Sequence, residues 1–445
     1  MELNAIQSLI VDFQRRPLPN FTPRDLRLSF VKNMSLSVTG CRRSGKTYRT
    51  YQLIRELTAA GTPMESICRL QFNDHRLSRL GREGLDLIHR AYDALYPEKR
   101  GRETLFIFDE IHRIEGWEDY LLHLLDDPRH RVLVTGSTSR LKRGNIASGL
   151  RGKNLTVELY PFSFAEFLRH HGVPEDTVSS AGQAHLRHML MRYLEQGGFP
   201  GLLEADAHLH LELLQNYWDA MMLRDVLEAH PEDSPNLGAL TFFAQALVAR
   251  NACPMTVRGI MKEMSTAGLS FTPEALYRYL RHLEEAYIAF AVPIYSPSSA
   301  VRHRNPQKVY LIDWALAEAV SPGPPPDAGR KLENLVYLEL RRRGCEVAYF
   351  RTRQGHEIDF VARAPSAKGR GPALIQVCYS LASDEVRERE LRALPAAARL
   401  LKADEVFIVT WDEEKRIERE GLTVHIVPAW KWLLGFQPGA TPASH

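Results

Sequence analysis

The sequence predicts an α/β protein: a parallel sheet covered by helices comes first, then a helical stretch, a small mixed module and a second α/β domain. Three observations carry that prediction. Between residues 34 and 160, short β-rich runs alternate with helical stretches, the pattern of strands joined by crossover helices. The first of those strands runs straight into a glycine-bounded loop, Gly40 to Thr47, that opens a helix. Much later, Ser321-Pro322-Gly323-Pro324-Pro325-Pro326 breaks the chain, because consecutive prolines exclude both helix and sheet pairing. At 445 residues the chain exceeds one ordinary core, so two or three domains are expected.

In order, the expected strands of the first domain are Met34–Thr39, Ser66–Phe72, Thr104–Asp109, Arg131–Thr135 and Leu155–Leu159, with helices at Tyr48–Ala60 and Trp117–Leu125. Residues 1–160 form this core. Residues 161–231 turn helical, like a lid, and are interrupted by a turn at Gly197-Gly198-Phe199-Pro200-Gly201. Residues 232–320 read as three short helices, the last Thr272–Ala286, followed by two extended runs, Tyr287–Tyr295 and Lys308–Ile312. That order resembles a winged helix. Residues 321–445 give a helix at Lys331–Arg343, strands at Glu346–Arg351, Glu357–Ala362 and Leu374–Tyr379, a charged helix near Glu385–Leu394 and a strand at Glu405–Thr410.

The chemistry concentrates in the first domain. Gly40-Cys41-Arg42-Arg43-Ser44-Gly45-Lys46-Thr47 fits GxxxxGK[ST] between a strand and a helix. Glycines let the backbone curl so that its N–H groups face phosphates, and the helix N-terminus adds a field that favours anions. Gly40, Arg43, Ser44, Gly45, Lys46 and Thr47 are therefore the nucleotide-binding set, with Lys46 reaching the β- and γ-phosphates and Thr47 holding Mg²⁺. The run Leu105-Phe106-Ile107-Phe108-Asp109-Glu110 ends a buried strand in two acids, at the edge where ligands of open α/β sheets collect. Asp109 completes the Mg²⁺ shell, and Glu110 polarises the attacking water, which favours ATP hydrolysis over kinase chemistry. Ser137 or Thr138, after the strand Arg131–Thr135, is placed to bond the γ-phosphate or the water. Arginines 140, 143 and 151 follow; Arg151 is either an arginine finger entering a neighbour's site or part of a solvated basic loop.

Composition narrows the class without choosing it. Hydrophobic residues at 44% and charged residues at 25% exclude a disordered or collagen-like chain. A net charge of +3 is too weak to imply nucleic acid unless local patches do so. The five cysteines are scattered, with no CxxC pair and no histidine cluster at zinc-ligand spacing, which fits a reducing compartment. No basic stretch followed by an apolar run opens the chain, and about 18 consecutive apolar residues occur nowhere. A cytoplasmic protein with no membrane partner is the expectation.

GCRRSGKT, LFIFDEIH, VTGSTSRL, LRGK and LYPFSFAEFL, continued by GGFPGLL, YLRHLEEAYIAF, VYLID, KLENLVYLEL and GHEIDFV, resemble the archaeal-type AAA+ ATPases that carry a C-terminal DUF4143 region. The resemblance covers nearly the whole chain. It implies an ATPase core, a winged-helix-like module and a domain related to the PD-(D/E)XK nucleases. It also implies a homo-oligomeric ring such as a hexamer, and DNA, including branched DNA such as four-way junctions, as the bound partner.

A PD-(D/E)XK site places a helix acid, a strand aspartate and an acid-x-lysine around Mg²⁺. Glu333 and Asp359 supply the first two, but Gln376 and Cys378 stand where the acid and the lysine belong. A neutral amide is a poor Mg²⁺ ligand and a thiol carries no positive charge, so the expectation is a fold kept for binding without nuclease activity. For DNA, the candidates are Arg278 and Arg281 on the third helix and Arg302, Arg304 and Lys308 in the following connection. A solvated basic face is the plainer account of the same residues. Arg224 either touches nucleotide or pairs with a carboxylate. The leading reading is a DNA-dependent ATPase motor; the alternatives are a nucleotide-switched regulator with a protein partner and an ATP-dependent nuclease.

Overall fold

The computed structural model describes residues 3–77, 80–99, 101–137, 149–150, 152–233, 235–321, 323, 327–365 and 371–435. The chain divides into two compact units, Met1–Tyr160 and Pro161–His445.

In the first unit the parallel strands are β1 (Ser35–Thr39), β2 (Ile67–Gln71), β3 (Thr104–Asp109), β4 (His130–Gly136) and β5 (Asn154–Glu158), in the order β2-β3-β4-β1-β5. β1 and β3 are buried along their whole length, as strands covered on both faces must be. One layer of core joins Phe106, Phe108, Val132 and Val134 to Tyr120 and Leu121 of helix Trp117–Leu125. The other joins Leu36, Val38, Ile107 and Leu133 to Leu53 and Ile54 of α2 (Lys46–Ala59). A helix at Leu3–Arg15, which the strand-and-helix alternation did not reveal, packs Ile6, Leu9 and Ile10 into the first layer. All five expected strands form, each within a residue or two of its expected ends.

The second unit opens with helices Phe164–His170, Ser180–Gln196 and His210–Ala220, the last continuing as a π-helical turn over Met221–Leu227. The Gly197-Gly198 turn is pinned from elsewhere in the unit. Gly198 N–H donates to Asp313 Oδ2 at 2.7 Å, and burial pushes that carboxyl up to about 6. Helices Leu237–Val248, Val257–Thr266 and Pro273–Glu285 come next, with a small antiparallel sheet of β6 (Pro254–Met255), β7 (Ala289–Val292) and β8 (Gln307–Leu311) in the order β6-β8-β7. The connection between β7 and β8 contains a short helix, Ser299–Arg304, whose N-cap is Ser298. Last comes helix Ala328–Arg342 and a six-stranded mixed sheet of β9 (Glu346–Arg351), β10 (Glu357–Arg363), β11 (Ala373–Val377), β12 (Glu405–Thr410), β13 (Lys415–Arg419) and β14 (Leu422–Pro428), in the order β13-β14-β12-β11-β10-β9. Asn334 clips this helix to β8: its amide donates to Leu311 O at 3.0 Å and its Oδ1 accepts from Leu311 N at 2.7 Å. Among the described residues no helix is long and apolar enough to cross a membrane.

Candidate nucleotide site and a plugged acidic cluster

The parallel register aligns three strand ends. Thr39 lies level with Gly136 and Asp109 with Thr135, so the glycine loop, Ser137 and Glu110 leave one edge of the sheet side by side. β4, between the other two, puts Ser137 between the loop and the acids. This is where ligands gather on such sheets.

Within the loop, Arg43 and Gly45 hold left-handed backbone, with φ of 68° and 97°. A Cβ at Gly40 would lie 2.1 Å from Leu159 O, so only glycine lets the loop pass this close to the strand end. Gly45 caps α2 without a side-chain bond, which leaves the first amides of that helix to an anion. Lys46 is buried, and its ammonium donates to Gly40 O at 3.0 Å and Cys41 O at 2.9 Å. Ser44 Oγ is buried with no partner in the protein. Arg24 fixes the cradle from outside, donating to Ser44 O and Tyr160 O at 2.6 Å each.

Asp109 is 1% exposed, and a carboxylate this deep needs every lone pair met. It accepts from Thr47 Oγ1 at 2.9 Å, from Arg69 Nη2 at 3.0 Å and, in a short bond, from Thr135 Oγ1. Thr47 and Asp109 thus supply adjacent oxygen donors, the chemistry Mg²⁺ takes. Glu110 sits in the left-handed region at φ 63°, a strained state for a residue with a side chain. Its amide is held by Thr135 O at 3.2 Å, and its Oε2 lies 3.5 Å from His112 Nε2. The Glu110 side chain keeps 18% exposure where that of Asp109 keeps 1%.

Arg69 is the residue that sequence reasoning missed. It lies on β2, buried, ion-paired with Asp109 and stacked against the rings of Phe13 and Tyr51 at 5.0 and 4.8 Å. Thr47, Tyr48, Tyr51 and Arg69 line one wall of a cleft of about 660 Å³. The usable signal was an arginine in the middle of an apolar strand, Ile67-Cys68-Arg69-Leu70, since such a residue is buried only when paired. Thr138, Arg140, Arg143 and Arg151 lie outside the described residues.

The acids of the C-terminal sheet form a second cluster, with an unexpected occupant. Lys308, 2% exposed, sends its ammonium to Glu333 at 2.6 Å, Glu357 at 2.9 Å and Asp359 at 2.9 Å. Its three N–H donors are thereby used up. Burial opposes the charge on Lys308, but Asp359, Tyr310, Glu333 and Glu357 outweigh it and raise its pKa well above the ordinary value. Burial and Asp359 push Glu333 up to about 8. Burial also acts against Glu357, yet Lys308 and Arg351 bring it below its ordinary value. Lys308, 2% exposed, is therefore not the DNA contact that its sequence position suggested: its ammonium is buried and fully engaged by Glu333, Glu357 and Asp359. Gln376 does join this cluster, accepting from Asp359 N at 3.3 Å and donating to Glu390 at 2.8 Å.

The remaining basic candidates divide. Arg278 and Arg281 are exposed on helix Pro273–Glu285, beside the exposed Tyr277, and Arg304 is exposed. Arg302 is half-buried and donates to Ser296 O. Arg224 pairs with Glu228 at 2.7 Å.

Three families match in tandem: an AAA domain over residues 32–168, a domain of unknown function, DUF8612, over 187–327, and another, DUF4143, over 328–432. An uncharacterised protein of Methanocaldococcus jannaschii is 30% identical over 426 residues, covering 93% of this chain and 91% of that protein. The chain belongs to the AAA+ ATPases with a C-terminal DUF4143 domain. A Haemophilus influenzae relative, also uncharacterised, is 26% identical over 73% of this chain and 78% of its own length. Among solved structures, a Walker-type ATPase of Pyrococcus abyssi aligns with 65% of this chain and 91% of its own, at 15% identity and a TM-score of 0.35. The AAA+ membership and the geometry above agree on a nucleotide-dependent ATPase with a P-loop core and an additional C-terminal sheet domain.

Proposed function

We propose that this AAA+ protein hydrolyses ATP to drive the binding and remodelling or translocation of DNA, branched DNA included, as a homo-oligomeric ring. The observation that carries the hydrolytic part is the Thr47–Asp109–Thr135 chain of hydrogen bonds, with the partly exposed Glu110 next in the chain. Bound Mg²⁺ and ATP would supply the phosphoryl group and offset the charge that develops on it. Thr47 and Asp109 would hold the ion, Lys46 and the amides of Gly45 to Thr47 would orient the phosphates, and Glu110 would accept the proton of the attacking water. Ser137, at the end of β4, is suited to position that water.

The DNA part rests on helix Pro273–Glu285. Its exposed Arg278, Arg281 and Tyr277 pair cationic groups with an aromatic face, which suits a phosphate backbone. The succession of three helices with a β6-β8-β7 sheet supports the winged-helix reading of residues 232–320, with 161–231 as lid and 321–445 as the nuclease-like domain. Lys308 in the acidic cluster favours a domain that binds without cutting, since an ammonium stands among the carboxylates that would hold a metal.

The deciding experiment is the ATPase rate of the full chain against single-stranded, duplex and four-way-junction DNA, with Lys46→Ala as the inactive reference. Stimulation by DNA that weakens with salt is expected. Hydrolysis that no DNA substrate changes would remove the motor reading and leave an ATPase that acts on another partner.

A further inference from the structure

In the second unit, two histidines and two carboxylates converge from segments distant in sequence. His230 and Asp233 belong to the turn that follows the π-helical Met221–Leu227, and His282 and Glu285 lie three apart on helix Pro273–Glu285. Such spacing puts both side chains of a helical pair on one face. The His230 and His282 side chains are 6% and 4% exposed, whereas those of Asp233 and Glu285 keep 30% and 28%. His282 Nε2 lies 2.9 Å from Asp233 Oδ2, and His230 Nε2 lies 3.2 Å from Glu285 Oε2. The two imidazoles stack with centroids 3.6 Å apart and planes 14° from parallel.

We infer that His230, Asp233, His282 and Glu285 form a transition-metal site of the Zn²⁺ class. Three arguments support it. Imidazole and carboxylate together are a zinc donor set, whereas Mg²⁺ and Ca²⁺ take oxygen ligands. Ligand atoms of His230, Asp233 and His282 already lie within 4.8 Å of one another. A tetrahedral site with bonds of about 2.0–2.1 Å puts ligand atoms roughly 3.4 Å apart, so a contraction of about 1.4 Å brings these three onto one ion, and Glu285, 3.2 Å from His230 Nε2, supplies the fourth ligand. The half-exposed carboxylates can supply that movement, and the stacked rings must splay so that their lone pairs converge.

The third argument is charge. Two buried imidazoles stacked face to face cannot both be cations at low cost. A pair of neutral rings is the low-cost state, and neutral imidazole is the form that binds metal. Two carboxylates then face neutral rings, and Arg278, 3.7 Å from the other oxygen of Asp233, offsets one of the two negative charges; a divalent ion matches the set. The ion would clamp the turn at 230–233 to the helix that presents Arg278 and Arg281. It has no part in nucleotide binding, and its fate is independent of the ATPase reading.

The test uses untagged full-length protein stripped with a chelator and titrated with Co²⁺. One equivalent should bind per chain with the visible ligand-field bands of a four-coordinate site, and Zn²⁺ should displace it and raise the melting temperature. Removing one imidazole in His282→Asn should abolish the bands. Glu285→Gln, which keeps the fold with one weaker ligand, should retain them with affinity lowered about tenfold or more. Absence of stoichiometric Co²⁺ on the wild type overturns the site without recourse to any variant. Bands that persist in folded His282→Asn overturn it as well, because the metal then sits elsewhere.

Discussion

Replacing Lys308 by methionine keeps the apolar stem of the side chain and deletes its ammonium, so it asks directly what the ammonium does among Glu333, Glu357 and Asp359. Removing one partner of a buried ion cluster costs about 3–5 kcal/mol, because the others stay buried and uncompensated. Two features pull this site to the lower end. Glu357 is 25% exposed and can turn to water, and Glu333, already pushed up to about 8, can remain protonated near neutrality. A loss of about 3 kcal/mol corresponds to roughly 6–12 °C for a unit of this size, at about 2–4 °C per kcal/mol. Near-UV circular dichroism of the second unit's tryptophans during melting would measure it at pH 7.5 and again at pH 5.5, where protonated carboxyls should shrink the deficit. Mn²⁺ should restore part of the loss in the variant and do nothing at this cluster in the wild type. A variant that melts within about 1 °C of wild type at both pH values would refute the claim that Lys308 neutralises the cluster.

Other predictions follow from the same geometry. Glu110→Gln should keep nucleotide binding and lower the hydrolysis rate by about 10²–10⁴-fold, read by equilibrium binding beside single-turnover kinetics. Arg69→Met removes a cation that shares Asp109 Oδ2 with Thr47, so the Mg²⁺ dependence of hydrolysis should move to lower concentration while stability falls by about 3–5 kcal/mol. Unmoved Mg²⁺ dependence would exclude that competition. Gly197→Ala sets a Cβ at φ 80° and 2.5 Å from Asp313 Oδ1; a loss of at least about 1–3 kcal/mol is expected on backbone strain alone, measured by urea unfolding. For pH, Glu333 binds its proton more tightly when folded than when unfolded. Its contribution is fully present below the ordinary carboxyl range and disappears as pH rises through about 8. Urea midpoints of wild type should decline over that window, and Glu333→Gln should flatten the decline.

What the sequence determined by itself was local in the chain. The Gly40 to Thr47 pattern is one turn of backbone opening one helix, so its residues are neighbours in the chain and can be read from a short window. Asp109 and Glu110 were legible because four apolar residues precede them, which marks a buried strand ending in acids. The tandem order of core, helices, small sheet and second α/β sheet was legible too, since periodicity is a property of short windows. The tertiary structure decided which distant side chains share a space. Strand order brings Arg69 of β2 against Asp109 of the adjacent β3. The packing of β8 against helix Ala328–Arg342 carries Lys308 into an acidic cluster rather than to a DNA surface. His230 and His282 meet only because the π-helical turn and helix Pro273–Glu285 lie together. A lysine or histidine looks the same in a sequence whether water or three carboxylates surround it. The desolvation energy that separates those cases exists only once the fold has removed the water.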